Sequence, residues 1–422
     1  CYMKVGIIGS GGREHAICYA LKKSKKIKQI YCFPGNAGTA QIAKNISIDI
    51  EDFNRLHNFI LSNKIDLVVV GPEKPLVNGI VDFLEEHNIT VFGPNKSASQ
   101  LEGSKIFTKN LCEKYKIPTA KFGIFKNIND AMHFTNNTNY PLVIKADGLA
   151  SGKGVYICDN KNDSKIAINE IFNGKFGIAS KLLIEEFLVG EEMSYFIVTD
   201  GKTIKKFGTA QDHKRVLEGD LGKNTGGMGA YSPSRLINDE LDKKITDRII
   251  KPTIDGLKKI GINYKGFLYV GLMIVKGDPF LIEYNVRMGD PECQTILPKL
   301  NSNLIDIFLA CCEGKLDKCL IKWHDKKSLC IVLCSNGYPE TFKKNLLIKN
   351  IEKIKLNRNE YLYHAGTTIV GDEVFSNGGR VLNFVCVSED FLKARKKILD
   401  LMKQLSWENG FYRKDIGYKA ID

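Results

Sequence analysis

The chain has 422 residues, 43% of them hydrophobic and 26% charged, with 61 Lys and Arg against 48 Asp and Glu for a formal net charge of +13. That length exceeds one ordinary core and predicts two to four domains. The composition excludes a disordered chain, and no run approaches the ~18 uninterrupted apolar residues that cross a membrane.

The positive excess is lysine scattered among polar and aliphatic residues, as at Lys22, Lys23, Lys25, Lys26 and Lys28. A nucleic-acid face interleaves Arg with aromatics on one surface, so no nucleic-acid partner is expected, and part of the charge can serve anionic small substrates. The apolar start, residues 5–8, breaks at once into Gly9-Ser10-Gly11-Gly12, which reads as no secretory leader, with Met3 as the natural start. The 12 cysteines form no C-x-x-C pair. They predict free thiols in a cytoplasmic protein and no zinc site.

In chain order, strand-like runs at 4–8, 29–33, 66–70 and 90–92 alternate with helical patterns at 13–23, 53–62 and 76–86. That alternation predicts a doubly wound parallel sheet. Each strand ends in small residues: Gly9-Ser10-Gly11-Gly12, Pro34-Gly35-Asn36-Ala37-Gly38-Thr39, Gly71-Pro72-Glu73 and Gly93-Pro94-Asn95. The carboxyl ends of such strands form a ligand crevice, so these loops point to a binding site. From Ser104 a helix carries Lys105 and Lys109 one turn apart on one face.

After Pro118 the pattern turns to strands and hairpins, at 142–146, 155–158, 182–187 and 193–199, the last closed by Asp200-Gly201. A helix near 239–257 follows, then a hairpin of 267–275 and 280–285 around Lys276-Gly277-Asp278-Pro279, then a buried helix at 304–312. From Ser328 a strand-rich unit carries Gly366 and Gly378-Gly379 and closes on a helix at 391–405.

Gly9-x-Gly11-x-x-Glu14 follows a strand and opens a helix, as a dinucleotide fingerprint does. Glu14, however, stands where the third glycine belongs, and the second strand ends in Pro34-Gly35 instead of an acid for the ribose. A nicotinamide site is therefore not expected. The loop's N–H groups suit a phosphate or another anion, or the loop is a tight turn with no ligand. The run Gly148-Leu149-Ala150-Ser151-Gly152-Lys153-Gly154 is one residue short of a P-loop, and Gly154 replaces the Ser or Thr that would ligate magnesium. Lying between two strands, it predicts a hairpin that folds over phosphates with its N–H groups and the Lys153 ammonium, beside the fixed charge of Lys145.

In Ile282-Glu283-Tyr284-Asn285 alternation puts Glu283 and Asn285 on one face and Ile282 and Tyr284 on the other. One carboxylate and one amide oxygen on a rigid strand suit a hard ion such as Mg²⁺ bridging phosphates; a wet strand face is the plain alternative. Arg287-Met288-Gly289-Asp290-Pro291-Glu292 adds a fork-shaped cation and two acids beside that pair. Glu185-Glu186-Phe187-Leu188, leading to Glu191, is a strand edge that could offer backbone groups to an adenine. The polar, glycine-rich stretch 210–233, with Asp212, His213, Lys214 and Arg215, reads as a long functional loop. His213 is not taken as a catalytic base.

A hairpin glycine loop, an acid-rich strand edge and a Glu-x-Asn strand, in that order, resemble the ATP-grasp superfamily. Gly9-Ser10-Gly11-Gly12-Arg13-Glu14-His15-Ala16, Leu101-Glu102-Gly103-Ser104-Lys105, Lys145-Ala146-Asp147-Gly148, Gln211-Asp212-His213-Lys214-Arg215, His364-Ala365-Gly366-Thr367 and Asn377-Gly378-Gly379-Arg380 are similar to the phosphoribosylamine–glycine ligase family within it. The resemblance runs from Met3 to about Tyr418. It implies an N-terminal Rossmann-like substrate-binding unit at 1–103, an ATP-grasp unit at 104–327 with a small lid at about 120–190, and a C-terminal unit at 328–422, α/β in class and α+β overall.

It further implies that ATP phosphorylates glycine and that 5-phosphoribosylamine attacks the glycyl phosphate. Lys105, Lys145 and the loop residues Gly148, Gly152, Lys153 and Gly154 would hold the ATP phosphates. Glu185, Phe187 and Leu188 would face the adenine, and Glu191 the ribose. Glu283 and Asn285 would hold Mg²⁺ (or Mn²⁺). Arg287 would clamp the glycine carboxylate, acting catalytically with Lys145 and Asp212. Gly11, Gly12, Asn36, Gly38, Thr39, Glu73, Asp212, Lys214 and Arg215 would bind phosphoribosylamine, and Gly289 and Asp290 would also be substrate-binding. A monomer or weak homodimer is expected. The strand 267–273, one before Glu283, carries no acid where many ATP-grasp enzymes have a second metal ligand. Rival readings are a ligase for formate or bicarbonate, a nucleotide sensor and a dehydrogenase. Intact Lys145, Glu283, Asn285 and Arg287 argue against the sensor, and Glu14 with Pro34 against the dehydrogenase.

Overall fold

The computed structural model describes residues 2–150 and 153–421, so Gly152 lies outside the described residues. Among the described residues the N-terminal sheet is five-stranded and wholly parallel, in the order Lys44–Asn45, Ile27–Pro34, Met3–Gly9, Leu67–Val70, Val91–Phe92. Leu67–Val70 is buried at every residue, as a strand covered by helices on both faces must be. The helical pattern at 76–86 divides into Glu73–Val77 and Ile80–Glu86. Gly79 lies between them at φ +90, a left-handed position that resets the chain direction and that glycine adopts without strain.

The lid is an antiparallel sheet ordered Phe122–Phe125, Leu182–Glu186, Leu142–Ala146, Val155–Cys158. The sequence pattern suggested only strands here, yet Ile128–Asn136 and Lys161–Phe172 are helices. Ala131, Ala167, Ile168 and Ile171 bury against Leu142, Ile144, Leu182 and Ile184 in a core of the lid's own. Asn127 and Asn160 cap the two helices, accepting from the N–H of Asp130 and Asp163.

The main sheet is nine-stranded. Its order is Asp278–Asn285, Gly266–Val275, Glu191–Thr199, Ile204–Asp212, Gly229–Ser232, Lys327–Ser335, Arg380–Ser388 and Glu360–His364, with Gly410–Phe411 pairing beside Lys327–Ser335. The sheet thus crosses the expected division at 327/328: Gly229–Ser232 pairs antiparallel with Lys327–Ser335. The C-terminal strands cover what would otherwise be an open edge of the ATP-grasp sheet.

The stretch 210–233 is not one long loop. It forms the hairpin Arg215–Leu217 with Leu221–Asn224, then the strand Gly229–Ser232. The C-terminal segment holds this hairpin. Buried Arg413 donates to Asp220 (2.9 Å), to both oxygens of Asp415 (2.8 and 2.7 Å) and to the Arg215 carbonyl (3.0 Å), and Tyr418 donates to Asp220 at 2.7 Å. His213 is spent in the same network, its Nε2 accepting from the Gly417 N–H at 3.0 Å.

The N-terminal loops dock on the C-terminal unit through Asn36. Its amide donates to the carbonyls of Ser10 (2.9 Å) and His364 (2.8 Å) and accepts from the N–H of Gly38 (2.9 Å) and Thr39 (3.1 Å). Thr39 Oγ1 accepts from the Asn36 N–H and donates to Asn45, and His15 Nδ1 accepts from the His364 N–H at 2.7 Å. Because Asn36 is buried, Asn36→Ala strands several backbone groups at once. We expect it to lower stability by about 3 kcal/mol, read as an earlier thermal midpoint in calorimetry, while ATP affinity stays unchanged.

Candidate active site

The lid and the helix Lys105–Lys114 meet through lysines. Ser104 caps that helix, accepting from the Phe107 N–H, so Lys105 stands at its first turn. The Lys105 ammonium donates to the carbonyls of Ala146 (3.0 Å) and Gly148 (2.9 Å), gripping the start of the glycine loop, whose turn is allowed by Gly148 at φ +87. One turn on, Lys109 contacts Glu185 at 2.7 Å, and Lys145 contacts the other oxygen at 2.9 Å. Burial would raise the Glu185 carboxyl, but Lys145 and Lys109 hold it below the usual range. Burial also lowers Lys105 and Lys109. Glu185, expected to face the adenine, is thus ion-paired with both Lys109 and Lys145. Phe187 and Val189 lie exposed beyond it, with Leu188 partly buried between them.

The strand Asp278–Asn285 departs from the alternation expected of it. Leu272 faces Leu281 and Gly271 faces Glu283, so Ile282 is an extra, bulged residue. Leu281 and Tyr284 go to the core, whereas Ile282 and Glu283 line one small cavity with Glu192, Asp212, Lys214 and Tyr269. The bulge therefore turns Ile282 toward the Glu283 side, not the opposite one. Asn285 Oδ1 accepts from Arg287 at 3.3 Å. Gly271 is the residue opposite Glu283, and among the described residues no three His, Cys, Asp or Glu gather to hold an ion. Two oxygen donors, Glu283 and Asn285, are what this strand offers, which fits an ion whose other ligands are phosphate and water.

Arg287 is already engaged by two carboxylates. It contacts Glu102 at 3.0 Å and Glu73 at 3.3 Å. Glu102 also accepts from the Val286 N–H at 2.8 Å. Burial pushes the Glu102 carboxyl up to about 7 against the pull of Arg287, while in Glu73 the effect of burial is overcome by Arg287 and Arg13 and the carboxyl titrates low. Asp290 and Glu292 do not join Arg287 as hydrogen-bond partners. Asp290 accepts from Gln294 at 2.6 Å and lies 3.7 Å from Arg380; burial would raise it, but Arg380 and Arg13 hold it low. Glu292 is buried, and burial together with Asp212 lifts it to about 7.

Lys214 contacts Glu192 at 3.2 Å, and that charge raises the lysine. Burial raises Asp212 in turn. Arg215 donates to the Gly222 carbonyl at 2.7 Å within its own hairpin. Glu191 pairs with Arg235 and accepts from Gln211 at 3.2 Å.

At the N-terminal loop the Glu14 carboxylate accepts from the Gly11 N–H at 2.9 Å and pairs with Arg13. A Cβ at Gly9 or Gly71 would strike that side chain, so Glu14 fills the place where a dinucleotide would approach. Gly11 faces Asp290, and Gly12 is packed on Asn383 and Gln294, where a side chain would clash at 2.2 and 2.6 Å. Gly38 lies against His15 and His364. The side chains of Asn36 and Thr39 are consumed by internal bonds, and at Gly289 a side chain would meet the Glu292 carboxylate at 2.4 Å.

The structure therefore gathers Lys105, Lys145 and Gly148 at one end and Asp212, Lys214 and Glu283 at the centre. Glu73, Arg287, Gly11 and Asp290 line up at the other end. Lys153 and Gly154 close the glycine hairpin, where the Gly154 carbonyl accepts from the Ala146 N–H at 2.8 Å. The sequence reading did not assign Glu102, Glu192, Lys109 or Arg380. Glu102 and Arg380 sit inside stretches already singled out, so their motif context was the available signal.

Family models describe the same three regions: the phosphoribosylglycinamide synthetase N domain matches residues 3–102, the ATP-grasp (A) domain 103–293 and the C domain 328–419. A phosphoribosylamine–glycine ligase of Agrobacterium fabrum is 45% identical over 99% of this chain and 99% of its own length; that of Escherichia coli is 42% identical over 100% and 99%. The crystal structure of the Thermotoga maritima phosphoribosylamine–glycine ligase superposes with a TM-score of 0.86 at 33% identity, covering 98% of this chain and 100% of that one. The biotin carboxylase domain of a Hydrogenobacter thermophilus 2-oxoglutarate carboxylase, at 16% identity and a TM-score of 0.76, shares the fold. The chain, matched along its whole length, belongs to the phosphoribosylamine–glycine ligase family of ATP-grasp enzymes.

Proposed function

We propose that this chain joins glycine to 5-phosphoribosylamine, using ATP, in purine biosynthesis, and that the cleft just described is where it does so. The observation that carries the reading is the approach of Lys105, Lys145, Glu283 and Arg287 from three separate elements, Lys145 and Glu283 acting on the charge of Lys105, and Glu283 and Arg287 both acting on Glu102, in a chain of this family. A glycine carboxylate oxygen attacks the γ-phosphorus of ATP, ADP leaves, and glycyl phosphate forms. The amine nitrogen of phosphoribosylamine then attacks the acyl carbon, the C–O bond to phosphate breaks, and the nitrogen sheds a proton, giving glycinamide ribonucleotide.

The protein's own part is position and charge. Lys105, Lys145 and the loop residues Gly148, Lys153 and Gly154 hold the phosphates, Gly152 being assigned by sequence alone. Phe187 and Leu188 cover the adenine, and Glu191 meets the ribose. Glu283 and Asn285 hold Mg²⁺ (or Mn²⁺), which when bound neutralises phosphate charge. Arg287 takes the glycine carboxylate, exchanging part of its present contacts. Gly11, Gly12, Glu73, Gly289 and Asp290, with Asp212, Lys214 and Arg215, bind phosphoribosylamine; Asn36, Gly38 and Thr39 act by holding that loop in shape. The carboxyls of partly buried Asp212 and buried Glu292, both raised, take the proton of the amine. The three units 1–103, 104–327 and 328–422, a cytoplasmic location and a monomer or weak homodimer complete the proposal. Among the described residues no helix is long and apolar enough to cross a membrane.

ADP release tests the reading. It is expected only when Mg-ATP, glycine and phosphoribosylamine generated in place are all present. Equal release without glycine, or glycine alone matching the full mixture, overturns it.

Arg287→Lys keeps a charge for Glu102 but loses the fork. We expect the KM for glycine to rise by about tenfold or more and that for ATP to change less than about twofold; equal rises in steady-state kinetics would remove Arg287 from the glycine site.

Glu292 carries a pH signature. Its carboxyl titrates near 7 in the folded chain against an ordinary value of 4.5. Between those values the folded state keeps a proton that the unfolded state has lost, so this group's contribution to stability falls as pH rises from about 4.5 to about 7. Glu292→Gln is expected to match the wild type near pH 4.5 and to exceed it at pH 8 by on the order of 3 kcal/mol in urea unfolding.

A further inference from the structure

A second cavity, of about 370 Å³, lies where the strand Ile204–Asp212, the segment after Glu292–Ile296 and residues 321–323 meet. Its walls are apolar and partly aromatic: Phe207, Pro233, Ile237, Ile296, Ile321 and Trp323. Phe207 and Trp323 meet edge to face, 4.9 Å between centroids. Two lysines, Lys206 and Lys299, also line it. Lys206 is occupied by Asp242 and lies over the Tyr195 ring. Lys299 is different. It is 8% exposed, and among the described residues its ammonium has no hydrogen-bond or ion-pair partner.

An amine so placed is out of balance. Burial lowers it to about 7, and the charges of Lys327 and Lys206 push the same way, with Asp325 the only acid acting against them. A buried cation without a partner is costly, as is an apolar cavity left without apolar contacts. One class of ligand removes both costs: an anion on a flat apolar body. The volume, within the range of small-molecule sites, accommodates one aromatic ring with its substituents.

We propose that this cavity is a second ligand site, distinct from the cleft that joins glycine to phosphoribosylamine, and that it takes a small aromatic carboxylate with its anionic group on Lys299. None of the residues assigned to ATP, glycine or phosphoribosylamine lines it.

Anthranilate is a suitable probe, because it accepts excitation energy from tryptophan, and Trp323 is in the wall while Trp407 lies elsewhere, donating to the Leu347 carbonyl. With the full chain we expect saturable sensitised emission at millimolar probe or below. Lys299→Met, which removes an unpartnered buried charge and should fold at least as well as the wild type, is expected to weaken binding about tenfold or more, with Lys299→Arg recovering part of it. Trp323→Phe should remove most of the transfer, leaving only what Trp407 can pass. Affinity should be flat below pH 7 and fall about tenfold per unit above it, since binding then requires proton uptake by the amine.

Four results overturn the proposal: no saturable signal up to about 10 mM, equal binding by wild type and Lys299→Met, transfer undiminished by Trp323→Phe, or displacement of anthranilate by Mg-ATP or glycine.

Discussion

One guanidinium between two carboxylates sets the geometry of the cleft. Arg287 follows the strand Asp278–Asn285, Glu102 lies in the last turn of the helix Lys96–Gly103 and Glu73 begins the helix Glu73–Val77. The pair contacts therefore tie the N-terminal sheet to the strand that carries Glu283 and Asn285. Glu102 doubles the tie by accepting from the Val286 N–H. Removing Arg287 would leave the little-exposed Glu102 carboxylate without its cation, the costly way to break such a pair. The strap thus keeps the N-terminal loops and the strand Asp278–Asn285 in register.

The same rule repeats along the cleft. Lys109 and Lys145 share Glu185, Lys214 has Glu192, Arg13 has Glu14, and Arg380 has Asp290. Each cation is held by an acid or by backbone carbonyls, as Lys105 is. Charges held in this way need little reorganisation when phosphate charge develops beside them. The acids are thus not competitors of the substrates alone; they fix long, flexible lysines that would otherwise lose their placement to rotamer freedom.

Much of this was legible in the sequence, and the failures have local causes. The parallel strands of the first unit could be read because fully buried strands are short apolar runs closed by glycine loops. The two lid helices were missed because they are short and their apolar residues are spaced among polar ones; the Asn127 and Asn160 caps were the overlooked sign. Ile282 was put on the wrong face because a bulge is a property of the pairing with Gly266–Val275 and leaves no mark in the strand's own alternation. Asn36 and Thr39 stand out in the sequence as substrate-site candidates, but their side chains make internal bonds, that of Asn36 reaching the His364 carbonyl hundreds of residues away, and no local pattern reports that. Glu292 could be read as an acid beside the Glu283 strand, but the raised carboxyls of Glu102 and Glu292 could not, because the burial that raises both is set by the packing of distant segments.

The continuous sheet explains why the C-terminal unit matters to a cleft that others build. Because Lys327–Ser335 extends the ATP-grasp sheet and Arg380–Ser388 extends it again, Arg380 and Asn383 come up against the 226–227 turn, Asp290 and Gly12. From the same unit Arg413 and Tyr418 clamp Asp220 and hence the hairpin next to Lys214 and Arg215. A strand-rich unit hinged on a flexible linker could contribute these side chains only intermittently. One paired edge to edge contributes them at fixed distance, so that end of the cleft is fixed by the sheet, while the 122–186 unit packs on a separate core of its own.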